Sequence, residues 1–127
     1  MLNLVKFFGV LLLLMSSAPI FANKETAGQL AYNQCIGCHS FGYSRTGPDH
    51  CGVIGRQAGT VKEYDYSIAM SESAIVWDQQ TLDEFLTSPL SFIQGTTMGF
   101  VGISDPQKRQ VLIEYIKEKS SSLECNQ

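Results

Sequence analysis

Basic charge is scarce in this chain. Its 127 residues carry 9 Lys and Arg against 12 Asp and Glu, a formal charge of −3. Such a balance argues against nucleic acid as a partner. Long apolar runs are also missing. One stretch, residues 7–15, is uncharged and apolar for nine residues, well short of the about 20 needed to cross a bilayer. No internal repeat or low-complexity linker interrupts the chain, and strand-like alternation is weak throughout. These absences exclude a repeat protein, a membrane-spanning protein and a β-rich fold.

The apolar run reads instead as the core of a signal peptide. Lys6 supplies the positive flank, and Ser16, Ser17, Ala18 and Ala22 form a small-residue region for cleavage after Ala22. Export to a periplasm follows as the expected localisation. Residues 1–22 are thus expected to be a signal peptide and 23–127 one small domain of 105 residues.

Four cysteines remain in that domain, and two of them stand in Cys35-Ile36-Gly37-Cys38-His39. C-x-x-C-H is the attachment signature of a covalent c-type haem. Two thiols at this spacing can add to the two vinyl groups of one haem, and the next residue can serve as an axial ligand. A zinc site would need a second ligand pair at short spacing, which is absent. A thioredoxin-like site would need a βαβ setting, whereas the residues before Cys35 look helical.

Helical signals mark three places. Asn23 or Thr26 can cap a first helix running to about Gln34, with Gly28 and Tyr32 on one face. Asp78 can cap a second helix bearing Leu82, Phe85 and Leu86, which must stop near Ser88 because Pro89 follows. Asp105 followed by Pro106 opens a third, with Val111, Leu112, Tyr115 and Ile116 as its apolar stripe and Lys117 and Lys119 near its C-terminal end. Between Gly42 and Trp77 the chain reads as loops with one short helix near residues 66–70. The fold class is all-α.

Few residues could bind the other side of a haem iron. After cleavage only two His and two Met remain: His39, His50, Met70 and Met98. His39 belongs to the motif. Met98 lies between glycines in Gly95-Thr96-Thr97-Met98-Gly99-Phe100, a loop that can aim a thioether. Met70 reads as core filler in a helical segment. His50 reads as a solvated loop residue. Elimination favours Met98 and leaves the others open.

Taken in order, these motifs resemble the class I c-type cytochromes, the small soluble monohaem family. Gly28-x-x-x-Tyr32-x-x-Cys35-x-x-Cys38-His39, Thr46-Gly47-Pro48-Asp49, Gly52 to Arg56, Trp77, Thr81-Leu82, Pro89, the Met98 loop and Arg109 to Ile116 all carry the likeness. The resemblance implies a small cytochrome c fold of three main helices and loops wrapped around one haem c. It implies thioether links at Cys35 and Cys38, and His39 and Met98 as iron ligands. Pro48 would offer its carbonyl to the His39 ring. Arg56, Tyr66, Ser67 and Trp77 would bind the haem propionates, Thr96 would bond a propionate or the haem rim, and Phe100 would cover the haem edge. Gly28 would sit where the first and last helices cross.

The expected function is one-electron transfer between a redox donor and a redox acceptor, without enzymatic turnover, by a monomer or a subunit of a redox complex. The alternatives are a fixed haem subunit of a larger dehydrogenase or oxidase, or a peroxidase or gas-binding protein should Met98 dissociate. The chain departs from the family in three ways. Gln94 replaces a proline before the Met98 loop, Met70 and Phe85 replace Asn and Tyr, and Leu90, Ser91 and Thr97 replace lysines. Docking through Ile36, Leu90, Thr97, Phe100 and Val101 would then be apolar. Cys51 and Cys125 are left over, and in an exported protein such a pair is expected to form a disulfide.

Overall fold

The computed structural model describes residues 22–126. The expected leader lies outside the described residues except for Ala22, the first residue of the first helix. Five helices follow in order: α1 (Ala22–Tyr32), α2 (Ile68–Ser71), α3 (Gln79–Thr87), α4 (Pro89–Phe92) and α5 (Pro106–Lys119), with a closing 3₁₀ turn at Leu123–Asn126. No strand occurs among the described residues, only an isolated antiparallel bridge between Gln57 and Val76. None of the described helices is long and apolar enough to cross a membrane.

The helix starts follow their capping residues. The Asp78 carboxylate accepts the Thr81 N–H at 2.8 Å while the Thr81 hydroxyl accepts the Asp78 N–H at 2.8 Å, a complete capping box. Asp105 accepts the N–H groups of Gln107 and Lys108 ahead of Pro106. The first helix differs from expectation at both ends. Asn23 and Thr26 both lie inside it, and it stops at Tyr32, where the chain tightens into turns through Cys38. Pro89 does end α3, and it also starts α4, because a proline is well suited to a first helical turn.

The frame is α1 packed on α5, with α3 against the other side of α5. Gly28 makes the first contact possible: a Cβ there would sit 2.6 Å from the Tyr115 Cβ and 2.8 Å from the Val111 carbonyl. Arg109 ties α5 to α3. Its guanidinium meets both Asp83 carboxylate oxygens at 2.8 and 3.2 Å and also donates to the carbonyls of Ile103 and Ser104. That paired geometry is charge-assisted and directional, and it holds the 103–105 turn against two helices at once.

The core runs from Ala31 and Tyr32 of α1 through Leu82, Phe85 and Leu86 of α3 to Leu112, Ile113 and Ile116 of α5. Met70 lies buried in it, as its helical setting suggested. Trp77 packs on Phe85 with ring centroids 4.9 Å apart, and Phe85 meets Phe92 edge-on at 6.1 Å. Cys51 and Cys125 form a disulfide with Cα atoms 5.3 Å apart, across 74 residues of chain. The Ser120 carbonyl accepts the Gly52 N–H at 2.9 Å beside it. The C-terminal end is thereby fastened to the loop after His39.

Candidate haem attachment site

The turn that follows α1 creates the site. Cys38 and His39 both direct their backbone N–H to the Cys35 carbonyl, at 3.0 and 2.8 Å. This winding places two thiols and an imidazole within a single turn of chain. Both cysteines are free, Cys35 half-buried and Cys38 exposed. Burial, reinforced by the neighbouring Cys38, pushes the Cys35 thiol up to about 11. It is therefore a thiol at neutral pH when nothing is attached.

His39 is buried, and its ring is held on several sides. Its Nδ1 donates to the Pro48 carbonyl at 2.8 Å, which leaves Nε2 as the nitrogen with a free lone pair. Burial lowers its pKa, and the Pro48 bond opposes that shift. Gly47 lies directly against the ring: a Cβ there would come within 2.4 Å of Cε1. Only glycine lets the backbone pass this close, so Gly47-Pro48 acts as one device that seats and orients the imidazole.

His50 departs most from expectation. It is not a solvated loop residue. Its ring stacks on His39, centroids 4.2 Å apart and planes 19° apart. Tyr32 shares a hydrogen bond with its Nδ1 at 3.1 Å. Burial, then the neighbouring His39 and Arg56, hold His50 well below the ordinary histidine range, so it is neutral. Tyr32 is pushed up by burial and stays a phenol. The sequence signal that could have found this pair was the sequential link itself: His50 stands two residues after Pro48, whose carbonyl already touches His39.

The other expected residues fall into separate groups. Arg56 donates through Nη2 to the Asp49 carbonyl at 2.8 Å and through Nη1 to the Cys51 carbonyl. It pairs through its backbone with Trp77: Trp77 N–H to Arg56 carbonyl, 2.9 Å. Arg56 lies near enough to Tyr66 for each to feel the other's charge. Tyr66 meets Tyr64 edge-on at 4.7 Å. Ser67 is the N-cap of α2, its hydroxyl accepting the Met70 N–H at 3.2 Å. Thr96 is buried, and its hydroxyl accepts the Met98 N–H at 3.3 Å. Met98 and Phe100 are half-buried and pack against the core.

The donor set fits a covalently tethered haem. Two free thiols, an imidazole with Nε2 available and a backbone acceptor fixing its other nitrogen are the required parts. Among the described residues no group of three or more His, Cys, Asp or Glu side chains could hold a bare metal ion. Cys51, the nearest other thiol in sequence, is consumed in the disulfide.

Comparison with known proteins agrees with this chemistry. No family model matches the chain. Cytochrome c2 of Blastochloris viridis is 38% identical over 87% of this chain and 90% of its own length. Cytochrome c 2.1 of Caenorhabditis elegans is 40% identical over 84% of this chain and 97% of its own. Among solved structures, cytochrome cH from Methylobacterium extorquens superposes with a TM-score of 0.72 at 40% identity, covering 75% of this chain and 98% of that one.

Proposed function

The chain belongs to the class I c-type cytochromes, electron carriers with one covalently attached haem c, and from that premise we propose that it is an exported His/Met-ligated carrier. When bound, the haem supplies a one-electron couple. Everything else falls to this chain's own side chains. Cys35 and Cys38 tether the group through thioether bonds. His39 presents Nε2 to the iron, and Pro48, holding Nδ1, orients the ring and makes it a better donor.

Met98 is the proposed second ligand. A thioether favours the reduced iron more than a second imidazole would and so raises the potential. Two ligands drawn from the chain leave no iron position for a substrate, which is why electron transfer and not turnover is the reading. Arg56, Tyr66, Ser67 and Trp77 are proposed to face the propionates, Thr96 the propionate or rim, and Phe100 the haem edge. The observation that carries the proposal is the pairing of two free thiols with an imidazole whose Nδ1 is already committed to Pro48.

The partners proposed are a redox donor and a redox acceptor in the periplasm. Ile36, Leu90 and Val101 are exposed apolar side chains, and Thr97 is exposed where relatives of this class carry lysine. Docking is therefore proposed to be apolar, with an electron-transfer rate that depends weakly on ionic strength. A steep fall in rate with salt would overturn that part.

An optical spectrum of the purified holoprotein tests the whole. A low-spin ferric state with the weak iron–thioether charge-transfer band is expected. A high-spin ferric spectrum with rapid carbon monoxide binding after reduction would instead indicate an open iron site and a peroxidase or gas-binding role. Co-purification with a larger dehydrogenase or oxidase would make the chain its haem subunit.

A further inference from the structure

His39 has more restraint than a ligand needs if it is only to be held in place. One hydrogen bond at Nδ1 fixes the tautomer and points Nε2 outward, but it leaves the ring some freedom to rock about the Cβ–Cγ bond. Here a second flat ring lies parallel to the first. His50 covers one face of His39 with centroids 4.2 Å apart, close to ideal stacking contact.

The covering ring is itself pinned. Its Nδ1 is held by the Tyr32 hydroxyl at 3.1 Å, and Tyr32 and Phe41 meet it edge-on at 5.8 and 6.0 Å. Its backbone is clamped on three sides. The His50 N–H donates to the Ser40 carbonyl at 3.0 Å, and Arg56 donates to the carbonyls on either side of it, those of Asp49 and Cys51. The Cys51–Cys125 disulfide anchors the next residue to the far end of the chain. An aliphatic side chain would fill the same space but would offer no flat face and no partner for Tyr32.

We propose that His50 is a positioning residue: its ring, held by Tyr32, sets the plane in which His39 presents its imidazole. This rests on the reading of His39 as the axial ligand. The plane of an axial imidazole decides how the two iron d orbitals of π symmetry split. It therefore shows in the anisotropy of the ferric spectrum, independently of any electron-transfer rate.

The experiment uses the ferric holoprotein and three variants, His50→Leu, His50→Phe and Tyr32→Phe. Electron paramagnetic resonance g-values and the shifts of the four haem methyl protons are read in each. His50→Leu is expected to shift the g-values and to reorder the methyl resonances. His50→Phe keeps a flat face but loses the Tyr32 bond, so it and Tyr32→Phe should each move the pattern in the same direction as His50→Leu by a clearly smaller amount. Unchanged g-values and methyl order in His50→Leu would overturn the proposal and leave His50 as packing alone. So would a His50→Phe shift as large as that of His50→Leu. Should His50→Leu fail to fold, an unchanged Tyr32→Phe pattern overturns it. The ligation reading fails separately, if the wild-type protein shows no hyperfine coupling from a coordinated imidazole nitrogen.

Discussion

The two stretches that carry the proposed iron ligands are built very differently. Around His39 the chain is braced from many directions. Gly47 donates to the Cys38 carbonyl, His50 to that of Ser40 and Gly52 to that of Ser120. The Asp49 carboxylate accepts from Gly42 and Cys51, and Arg56 spans two carbonyls. A disulfide closes the assembly. Around Met98 the bonds are few: Thr96 N–H to the Ile93 carbonyl and Met98 N–H to the Thr96 hydroxyl, both local, with Ile103 N–H to the Leu86 carbonyl at the far end. Val101, within that stretch, is the most exposed large apolar side chain among the described residues. Stability is not uniform across a small domain, and segments with few bonds open first. The contrast assigns the imidazole side as the fixed wall of the site and the thioether side as the one that yields.

The largest test removes the yielding side. Met98→Ala is expected to open an iron position, giving high-spin character and carbon monoxide binding that the wild-type protein lacks, together with a lower midpoint potential. A variant with the spectrum and potential of the wild type would take Met98 out of the ligand set.

Next comes the brace. Reducing the Cys51–Cys125 bond, or replacing both residues by Ser, should cost about 3–5 kcal/mol of unfolding free energy, given the long loop it closes. Amide exchange should rise most at residues 40–56 and least at 94–102. An equal rise in both regions would erase the contrast.

Glycine contacts give a smaller effect. Gly47→Ala thrusts a methyl into the His39 ring, and Gly28→Ala thrusts one into Tyr115 and the Val111 carbonyl. Each should lose about 1–3 kcal/mol in denaturant unfolding. Only Gly47→Ala should also alter the ferric spectrum, because only it touches the ligand.

The contrast can also be reduced by design. Ile93 already lies outside the helical region that a following proline disfavours, with φ −121° and ψ 88°. Gln94→Pro should therefore stiffen the entry to the Met98 segment and gain about 0.4–1 kcal/mol through the unfolded chain. Displacement of Met98 by added imidazole should become harder. Easier displacement would show that the entry segment is not what limits the loop.

The smallest effect lies outside both regions and serves as a control. The Asp78 carboxylate accepts the Thr81 N–H and hydroxyl, which lowers its pKa below the ordinary aspartate range. The folded-state pKa is depressed, so the cap's contribution is complete above the unfolded-state value. It is lost as pH falls through the folded one. Thermal unfolding followed down the acid range should show Asp78→Asn losing less than the wild-type protein, with no change in the haem spectrum at any pH where both are folded.

Much of this architecture was legible beforehand because it rests on local rules. Asp78 with Thr81, and Asp105 with Pro106, state helix starts within four residues. C-x-x-C-H states its chemistry within five. Arg109 was legible only as part of a helix, since its partner Asp83 lies 26 residues away and no spacing rule links them. The last turn of α1 was not legible, because the chain leaves the helix at Tyr32 for the turns that carry the haem motif. Trp77, buried against Phe85, showed where its ring packs only in the fold.

His50 marks the boundary most clearly. The sequence alone determined that the chain carries a covalent haem and that the fold is helical, and it is the basis for proposing Cys35 and Cys38 as the tethers and His39 as a ligand. These follow from covalent reach and backbone propensity, which act between neighbours along the chain. What surrounds the His39 ring was decided by tertiary structure, because stacking, burial and the Tyr32 hydrogen bond act between residues up to 18 positions apart. Those contacts depend on which faces the folded chain presses together. Apart from its place two residues after Pro48, a polar residue in a turn-rich segment carries no local sign of what will pack against it.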